Sequence, residues 1–351
     1  MLIRYGKSAE GKPVKKAEIY TAEDHRIDPG LVDADASRII GRLRREGFRA
    51  FIVGGAVRDL LTGLKPKDFD IATDALPRRI RKIFPSSRII GRRFRLVHIY
   101  AQRDDKRRIF EVSTFRSGQD TNSFPGASIY GSMEEDVWRR DFTINALYYC
   151  PQRHIIIDFV GGYRHIREGK ICTLTRADVS FQEDPVRMIR GIKYAEITGF
   201  PFPRAVKTAI KRHRRELAGC SPARLTEELY KILESGHAAG IFRHIFHSKL
   251  MEVFLPALHQ HWSSMGSGQL QANLDSGLRL LDQRAEKQTL SRGTMLAYLM
   301  RSFAIRWNLI EDREQLHGTI VTWIQQTCKP LLPSRRECER AARLLLRWVT
   351  A

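Results

Sequence analysis

The sequence predicts an α+β protein in which a small mixed β-sheet with helices forms a head and an all-helical remainder follows. Two observations predict this. Between residues 31 and 165, short apolar runs alternate with turn signals and amphipathic stretches, whereas beyond about residue 175 strand signals fade and helical periodicity takes over. With 351 residues and 42% hydrophobic content, the chain is also long enough to bury a core in more than one domain.

Residues 1–30 are polar and charged and read as an N-terminal arm. "LVDADASRIIGRLRREGFRA" carries Leu31, Ala34, Ile39, Ile40 and Leu43 near helical spacing, with Gly47 as a stop. "FRAFIVGGAVRDLLTG" reads as strand, glycine loop and helix. "ALPRRIRKIF" is a short helix with Pro77 in its first turn, and "RLVHIYA" and "RRIFEVSTF" alternate as strands do. Residues 117–132 lack periodicity and read as a mobile loop, and "HIIIDFVGG" supplies a last strand and turn near 154–162. The helical remainder divides into a neck, 166–245, and a body and tail, 246–351.

Charge narrows the function. Sixty Lys and Arg against 39 Asp and Glu give a net charge of +21, which favours a polyanionic partner, first of all nucleic acid. The five cysteines, at 150, 172, 220, 328 and 338, show no metal-ligand spacing and suit a reducing compartment. No apolar stretch has the length of a signal-peptide core or a membrane span, so the expectation is a soluble, cytoplasmic protein.

Against this basic background "KPKDFDIAT" sets Asp68 and Asp70 one residue apart. In an extended segment such side chains share a face, and their mutual repulsion is relieved by a divalent cation. Two Mg²⁺ ions about 3.5–4 Å apart on such carboxylates make a phosphoryl-transfer site. An isolated D-x-D is more often a solvated turn, so context decides. Gly54 and Gly55, before a helix containing Arg58, allow close approach of a phosphate. "GKS" at residues 6–8 lacks the upstream glycine and strand of a P-loop. Glu111 in "RRIFEVSTFR" is a third carboxylate or an ordinary surface glutamate paired to an arginine. In "RRDFTINAL", Arg139 and Arg140 suit phosphates while Asp141 and Asn145 suit ribose hydroxyls; the alternative is a capped helix. In "EDPVRMIRGIKYA", Asp184, Arg187 and Arg190 recur every three residues and could line one helix face to read a base edge, or form intrahelical salt bridges.

In this order, "FIVGGAVRDLLTGLKPKDFDIAT", "RRDFTINALYY", "DFVGGYRHIREG", "EDPVRMIRGIKYAEITGF" and "SPARLTEELYKILESG" resemble the class II tRNA nucleotidyltransferase and bacterial poly(A) polymerase family over about residues 35–240. Residues 88–100, "RIIGRRFRLVHIY", look like the poly(A) polymerase branch. The resemblance implies a nucleotidyltransferase-fold catalytic head and a helical neck holding the base pocket. It also implies ATP as substrate, Mg²⁺ or Mn²⁺ as cofactor and RNA 3′ ends (mRNA, small RNA or tRNA) as acceptors, with proteins of RNA decay as partners. It gives Asp68 and Asp70 metal and catalytic roles and places Asp141 with them or with the ribose. Gly54, Gly55 and Arg58 match the triphosphate loop, Asp184 and Arg187 the base-reading pair with Arg190 beside them, and Glu111 an acidic position before "V-x-T-F-R".

Two departures stand out. Gly191 occupies a neck-helix position where Ala would be usual, and the C-terminal half is short for a poly(A) polymerase. RNA grip then rests on the dense bases Lys207, Lys211, Arg212, Arg214 and Arg215, with Arg335, Arg336, Arg340 and Arg343 as a weaker second patch. The rival readings are a CCA-adding tRNA nucleotidyltransferase and a catalytically inactive RNA-binding protein.

Overall fold

A computed structural model describes the chain except residues 8–11, 92–94, 104–105, 118–129, 267, 270–271, 273–274, 305–312 and 350–351. Two compact units divide it, Met1–Leu174 and Thr175–Ala351. Most of the loop expected at 117–132, and the "RRF" of the segment 88–100, lie outside the described residues.

In the first unit the strands are β1 (Leu2–Lys7), β2 (Pro13–Tyr20), β3 (Ala50–Val53), β4 (Asp70–Thr73), β5 (Ser87–Ile90), β6 (Leu96–Arg103), β7 (Lys106–Thr114), β8 (Leu147–Cys150) and β9 (Ile155–Asp158). They form one sheet in the order β1-β2-β9-β8-β3-β4-β7-β6-β5. β4 and β7 run parallel, and the other paired neighbours run antiparallel. Every residue of β3 ("AFIV") and β8 ("LYYC") is buried, so the central strands are apolar throughout, as strands covered on both faces must be. Phe51, Val53, Ala72, Phe115, Tyr148 and Cys150 pack in one core cluster. β4 starts at the margin of that core: Asp70 is exposed while Ile71, Ala72 and Thr73 are buried.

Residues 1–30 do not stand apart as an arm. The hairpin β1–β2 joins the sheet through β9, with Glu18 opposite Asp158 and Tyr20 opposite Ile156. Ala17 and Tyr20 are buried, and Tyr20 stacks on Tyr163 at 3.9 Å between ring centroids. The polar start of this strand, with Lys15 exposed and Lys16 part-exposed, gives no period-two signal, so the segment reads as an arm in sequence. Residues 166–174, read from sequence as the start of the neck, stay with the head, because Phe142 bridges Thr173 and the helix Gly162–Arg167 packs under the segment 143–145.

The turn after β9 explains "DFVGG". Asp158 is buried, and its carboxylate accepts from the backbone N–H groups of Val160 (2.9 Å), Gly161 (2.9 Å), Gly162 (3.1 Å) and Tyr163 (2.9 Å). A Cβ on Gly162 would lie 2.1 Å from the Thr143 carbonyl oxygen, so the glycine is required by close approach of two backbones. Gly162→Ala is expected to destabilise the first unit by roughly 1–3 kcal/mol, the range for forced overpacking. A urea titration checks this, and an unchanged midpoint would contradict the packing described.

The second unit is helical, with no strand among its described residues. Ala177–Glu183, Val186–Thr198, Arg204–His213, Pro222–Leu233 and Ala238–His247 come first; Pro256–Ser263, Arg292–Ala304, Arg313–Thr327 and Arg335–Val349 follow. Val186–Thr198 runs unbroken through the buried Gly191 and ends where Gly199 turns left-handed at φ 70°. It approaches Ala238–His247 so closely that a Cβ on Gly240 would sit 1.7 Å from Glu196 Oε1.

Candidate active site

Strand pairing assembles the site. β3 lies antiparallel to β4 with Val53 opposite Asp70, which sets Asp70 beside the turn that follows Val53. Gly54 makes that turn at φ 72°, ψ −138°, a region essentially reserved for glycine. A Cβ there would meet Asp70 Oδ2 at 3.8 Å and Arg140 Nη1 at 3.9 Å, so a carboxylate and a guanidinium from distant parts of the chain converge on this turn. Asp68 and Asp70 are both exposed and flank the buried Phe69, the alternation of an extended segment that presents both carboxylates on one face.

Behind this face lies a buried carboxylate that sequence reading did not single out. Asp136 is fully buried and receives Arg116 N (3.1 Å), Arg139 Nε (2.7 Å), Arg140 Nη2 (2.9 Å) and Tyr148 Oη (2.7 Å). Burial pushes its carboxyl up, but the charges of Arg140 and Arg139 and the Tyr148 hydroxyl win, and the net effect holds it below the usual aspartate range. For Arg140, burial opposes the charge, but Tyr148 and Asp136 outweigh it and keep the guanidinium firmly protonated. Its guanidinium also lies over the Tyr148 ring at 5.2 Å. Asp136 therefore orients the arginine that meets Gly54 and Asp70. The available signal was the i+3 and i+4 spacing in "DVWRR", which places both arginines over the same helical turn.

A second network ties the expected nucleotide contacts together beneath the surface. Arg58 is 5% exposed and donates to Asp59 Oδ1 (2.9 and 2.6 Å) and to Asn145 Oδ1 (2.9 Å). Asn145, also buried, donates to Asp141 Oδ1 at 3.2 Å, and the same oxygen accepts from Phe142 N at 2.8 Å. Arg58 and Asn145 thus brace Asp141 and the glycine turn from behind. A guanidinium shielded from water needs acceptors, and the nearby side chains supply them.

Glu111 has neighbours on both flanking strands. Extending the β4–β7 register by one residue from Ile71 opposite Val112 sets Glu111 level with Asp70. In the β6–β7 register, however, it faces His98, whose Nε2 lies 3.4 Å from its carboxylate. Among the described residues no three His, Cys, Asp or Glu side chains form a metal-holding group. Asp68 and Asp70, exposed on one face, offer carboxylate oxygens, a hard donor set that fits Mg²⁺ or Mn²⁺.

In the second unit the presumptive base-reading residues take separate partners. Asp184 accepts from Arg224 Nη2 at 3.0 and 2.8 Å, while Arg187 Nη1 donates to Ser180 Oγ (3.0 Å) and Glu183 Oε2 (3.1 Å). Arg190 Nε donates to the buried Glu228 at 2.7 Å, bracing Val186–Thr198 against Pro222–Leu233. Burial would raise the Glu228 carboxyl, but Lys193 and Arg190 hold it below its ordinary value. Arg190 thus braces two helices of the second unit against each other. In the basic segment, Lys207, Lys211 and Arg215 are exposed, while Arg212 is engaged by Asp178 at 2.8 Å and Arg214 by the Lys211 carbonyl at 2.6 Å.

Two protein families match parts of this chain. The family described as "Poly A polymerase head domain" matches residues 50–172, and the one described as "Probable RNA and SrmB- binding site of polymerase A" matches residues 199–261. The chain is 34% identical over 275 residues to Poly(A) polymerase I of Escherichia coli, covering 75% of this chain and 58% of that one. It is 36% identical over 279 residues to the Haemophilus influenzae protein of that name, covering 76% and 61%. The chain thus spans about three fifths of the length of these relatives. A CCA-adding enzyme of Geobacillus kaustophilus is 38% identical over 198 residues, 56% of this chain and 48% of that one. The Bacillus stearothermophilus CCA-adding enzyme in complex with CTP superposes with a TM-score of 0.58 at 27% identity, covering 90% of this chain and 82% of that one. From its nucleotidyltransferase-fold head to its helical second unit, the chain belongs to the tRNA nucleotidyltransferase and poly(A) polymerase family.

Proposed function

We propose that this chain is a template-independent poly(A) polymerase that adds AMP from ATP to RNA 3′ ends and releases pyrophosphate. The convergence of Asp70 and Arg140 on the Gly54 turn, with Asp68 on the same face, carries this reading. In each cycle the RNA 3′ oxygen bonds to the α-phosphorus, the bond from that phosphorus to the bridging oxygen breaks, and pyrophosphate departs with the electron pair. Asp68 and Asp70 would hold Mg²⁺, which when bound favours deprotonation of the 3′ hydroxyl and offsets charge developing on the phosphate. Gly54 and Gly55 leave room for the triphosphate, Arg140 meets its negative charge, and Asp136 keeps Arg140 in place. Asp141, held by Asn145, lies in the same network and serves the ribose or the metal. Asp184 and Arg187 carry base selection, as the resemblance implies.

The poly(A) polymerase relatives cover 75–77% of the chain and the CCA-adding enzymes 56–71%, which favours tailing over CCA addition. CCA addition is the second reading, supported by the likeness to the CTP-bound enzyme. A role in mRNA processing beside an RNA-decay protein in the cytoplasm belongs to the same proposal, and the match to a family whose description names SrmB beside RNA supports a protein partner in general. No helix among the described residues is long and apolar enough to cross a membrane.

Pyrophosphate release tests the activity. With Mg²⁺, an unstructured RNA and each nucleoside triphosphate in turn, release is expected with ATP at least roughly 10-fold faster than with the others. Such a ratio needs only about 1.4 kcal/mol of discrimination. No release with any triphosphate would sink the proposal and restore the inactive RNA-binding reading.

A further inference from the structure

Beyond the head, the second unit carries a cleft largely within the segment matched by the RNA-binding family, and neither that match nor the lysines on its rim says what its apolar interior holds. Ile192, Ala195 and Glu196 of the neck helix form one wall, Lys207, Ile210 and Lys211 a second, and His244 and His247 a third; Phe200 and Phe202 close it. Its volume is about 640 Å³. Gly199 ends the neck helix, and "FPFP" follows in extended form, placing the two half-buried phenylalanines in the cleft rather than in the core.

We infer that this cleft binds an unpaired base of the RNA, with Lys207 and Lys211 holding the neighbouring phosphates. This deepens the RNA-tailing reading and rests on it for the identity of the polymer. Three features favour RNA over an apolar peptide. The interior is apolar and aromatic, which suits a base face. Lys207 and Lys211 stand one helical turn apart at the rim, both exposed, in a chain of net charge +21. The one acid in the lining, Glu196, lies 3.2 Å from His244, so its charge is partly engaged within the protein. His247 Nδ1 donates to the Arg243 carbonyl at 2.7 Å, which directs Nε2 away from its own helix backbone and leaves it as an acceptor for a base N–H.

The test uses the full chain, no nucleotide and no metal, so it reads binding whether or not the protein polymerises. Fluorescence anisotropy is measured with a labelled single-stranded 15-mer and with a blunt duplex of the same sequence. Phe202→Ala is expected to weaken binding of the single strand by roughly 10-fold, the loss of one stacked base, and to leave the duplex unchanged. Phe202→Leu keeps the apolar volume, so it guards against misfolding, and it is expected to lose affinity for the single strand as well because the π face is gone. Changing Lys207 and Lys211 together to Gln is expected to lower the salt slope by about 1.4, at about 0.7 per phosphate contact on a single strand. Single-strand affinity unchanged in both Phe202 variants, or an equal loss on duplex and single strand, would overturn the inference and leave the cleft to a protein ligand.

Discussion

Asp70→Ala is expected to reduce nucleotide incorporation by roughly 10³-fold or more while RNA affinity and thermal stability stay close to wild type. The asymmetry follows from position. Asp70 is the exposed first residue of a strand whose next three residues are buried, so its removal opens no core cavity. Its carboxylate lies beside the Gly54 turn and Arg140, where the triphosphate would lie, and it shares a face with Asp68. Loss of one carboxylate leaves half of the donor set for Mg²⁺, and a single aspartate binds a divalent cation weakly. The exposed lysines proposed to hold RNA belong to the second unit and are untouched. Single-turnover extension of labelled RNA, run beside anisotropy binding, separates the two effects; an Asp70→Ala protein that still extends RNA near the wild-type rate would show that the site is elsewhere.

Asp136→Asn is expected to act through structure and activity together. The side chain is buried, and it receives hydrogen bonds from two guanidiniums, a tyrosine hydroxyl and a backbone amide. Removing its charge strands Arg139 and Arg140, and breaking such a buried pair costs roughly 3–5 kcal/mol. For a unit of this size that corresponds to a fall in Tm of roughly 6–20 °C. Surviving folded protein should show weakened ATP use, because Arg140 is no longer held toward the Gly54 turn. The wild-type protein carries a matching pH signature. Asp136 titrates below its unfolded value, so its contribution is fully present above about pH 3.9 and is lost as the pH falls through the lower folded value. Scanning Tm from pH 7 down to pH 3 should therefore show a steeper acid limb in wild type than in Asp136→Asn, and parallel limbs would contradict the assignment.

Much of this was legible in the sequence, for reasons that differ residue by residue. The D-x-D face could be read because period-two alternation is a local property, and "DFD" with a buried Phe69 between exposed aspartates satisfies it. The second-unit helices could be read because apolar spacing repeats within each. The first hairpin could not, since β1 and β2 owe their order to pairing with β9, more than a hundred residues away. For the same reason the bond between Arg58 and Asn145 could not be read. Sequence shows that a side chain is polar and not which partner it finds, and these two find each other across 87 positions. Asp136 was hidden among three consecutive acids, "EED", of which only the third is buried. The pairing of Glu111 with His98, 13 positions away, was equally out of reach, because a strand face does not name the residue opposite.

The reaction class rests on the head, but the product rests on whether addition stops. The most direct measurement is the product length on two acceptors, a generic unstructured RNA and a tRNA lacking its 3′ end, each supplied with ATP alone and then with CTP and ATP. A ladder of adenylates on the generic RNA with ATP alone is the predicted result. Addition confined to the tRNA and ending after three nucleotides, with CTP required, would contradict it and establish CCA addition in its place.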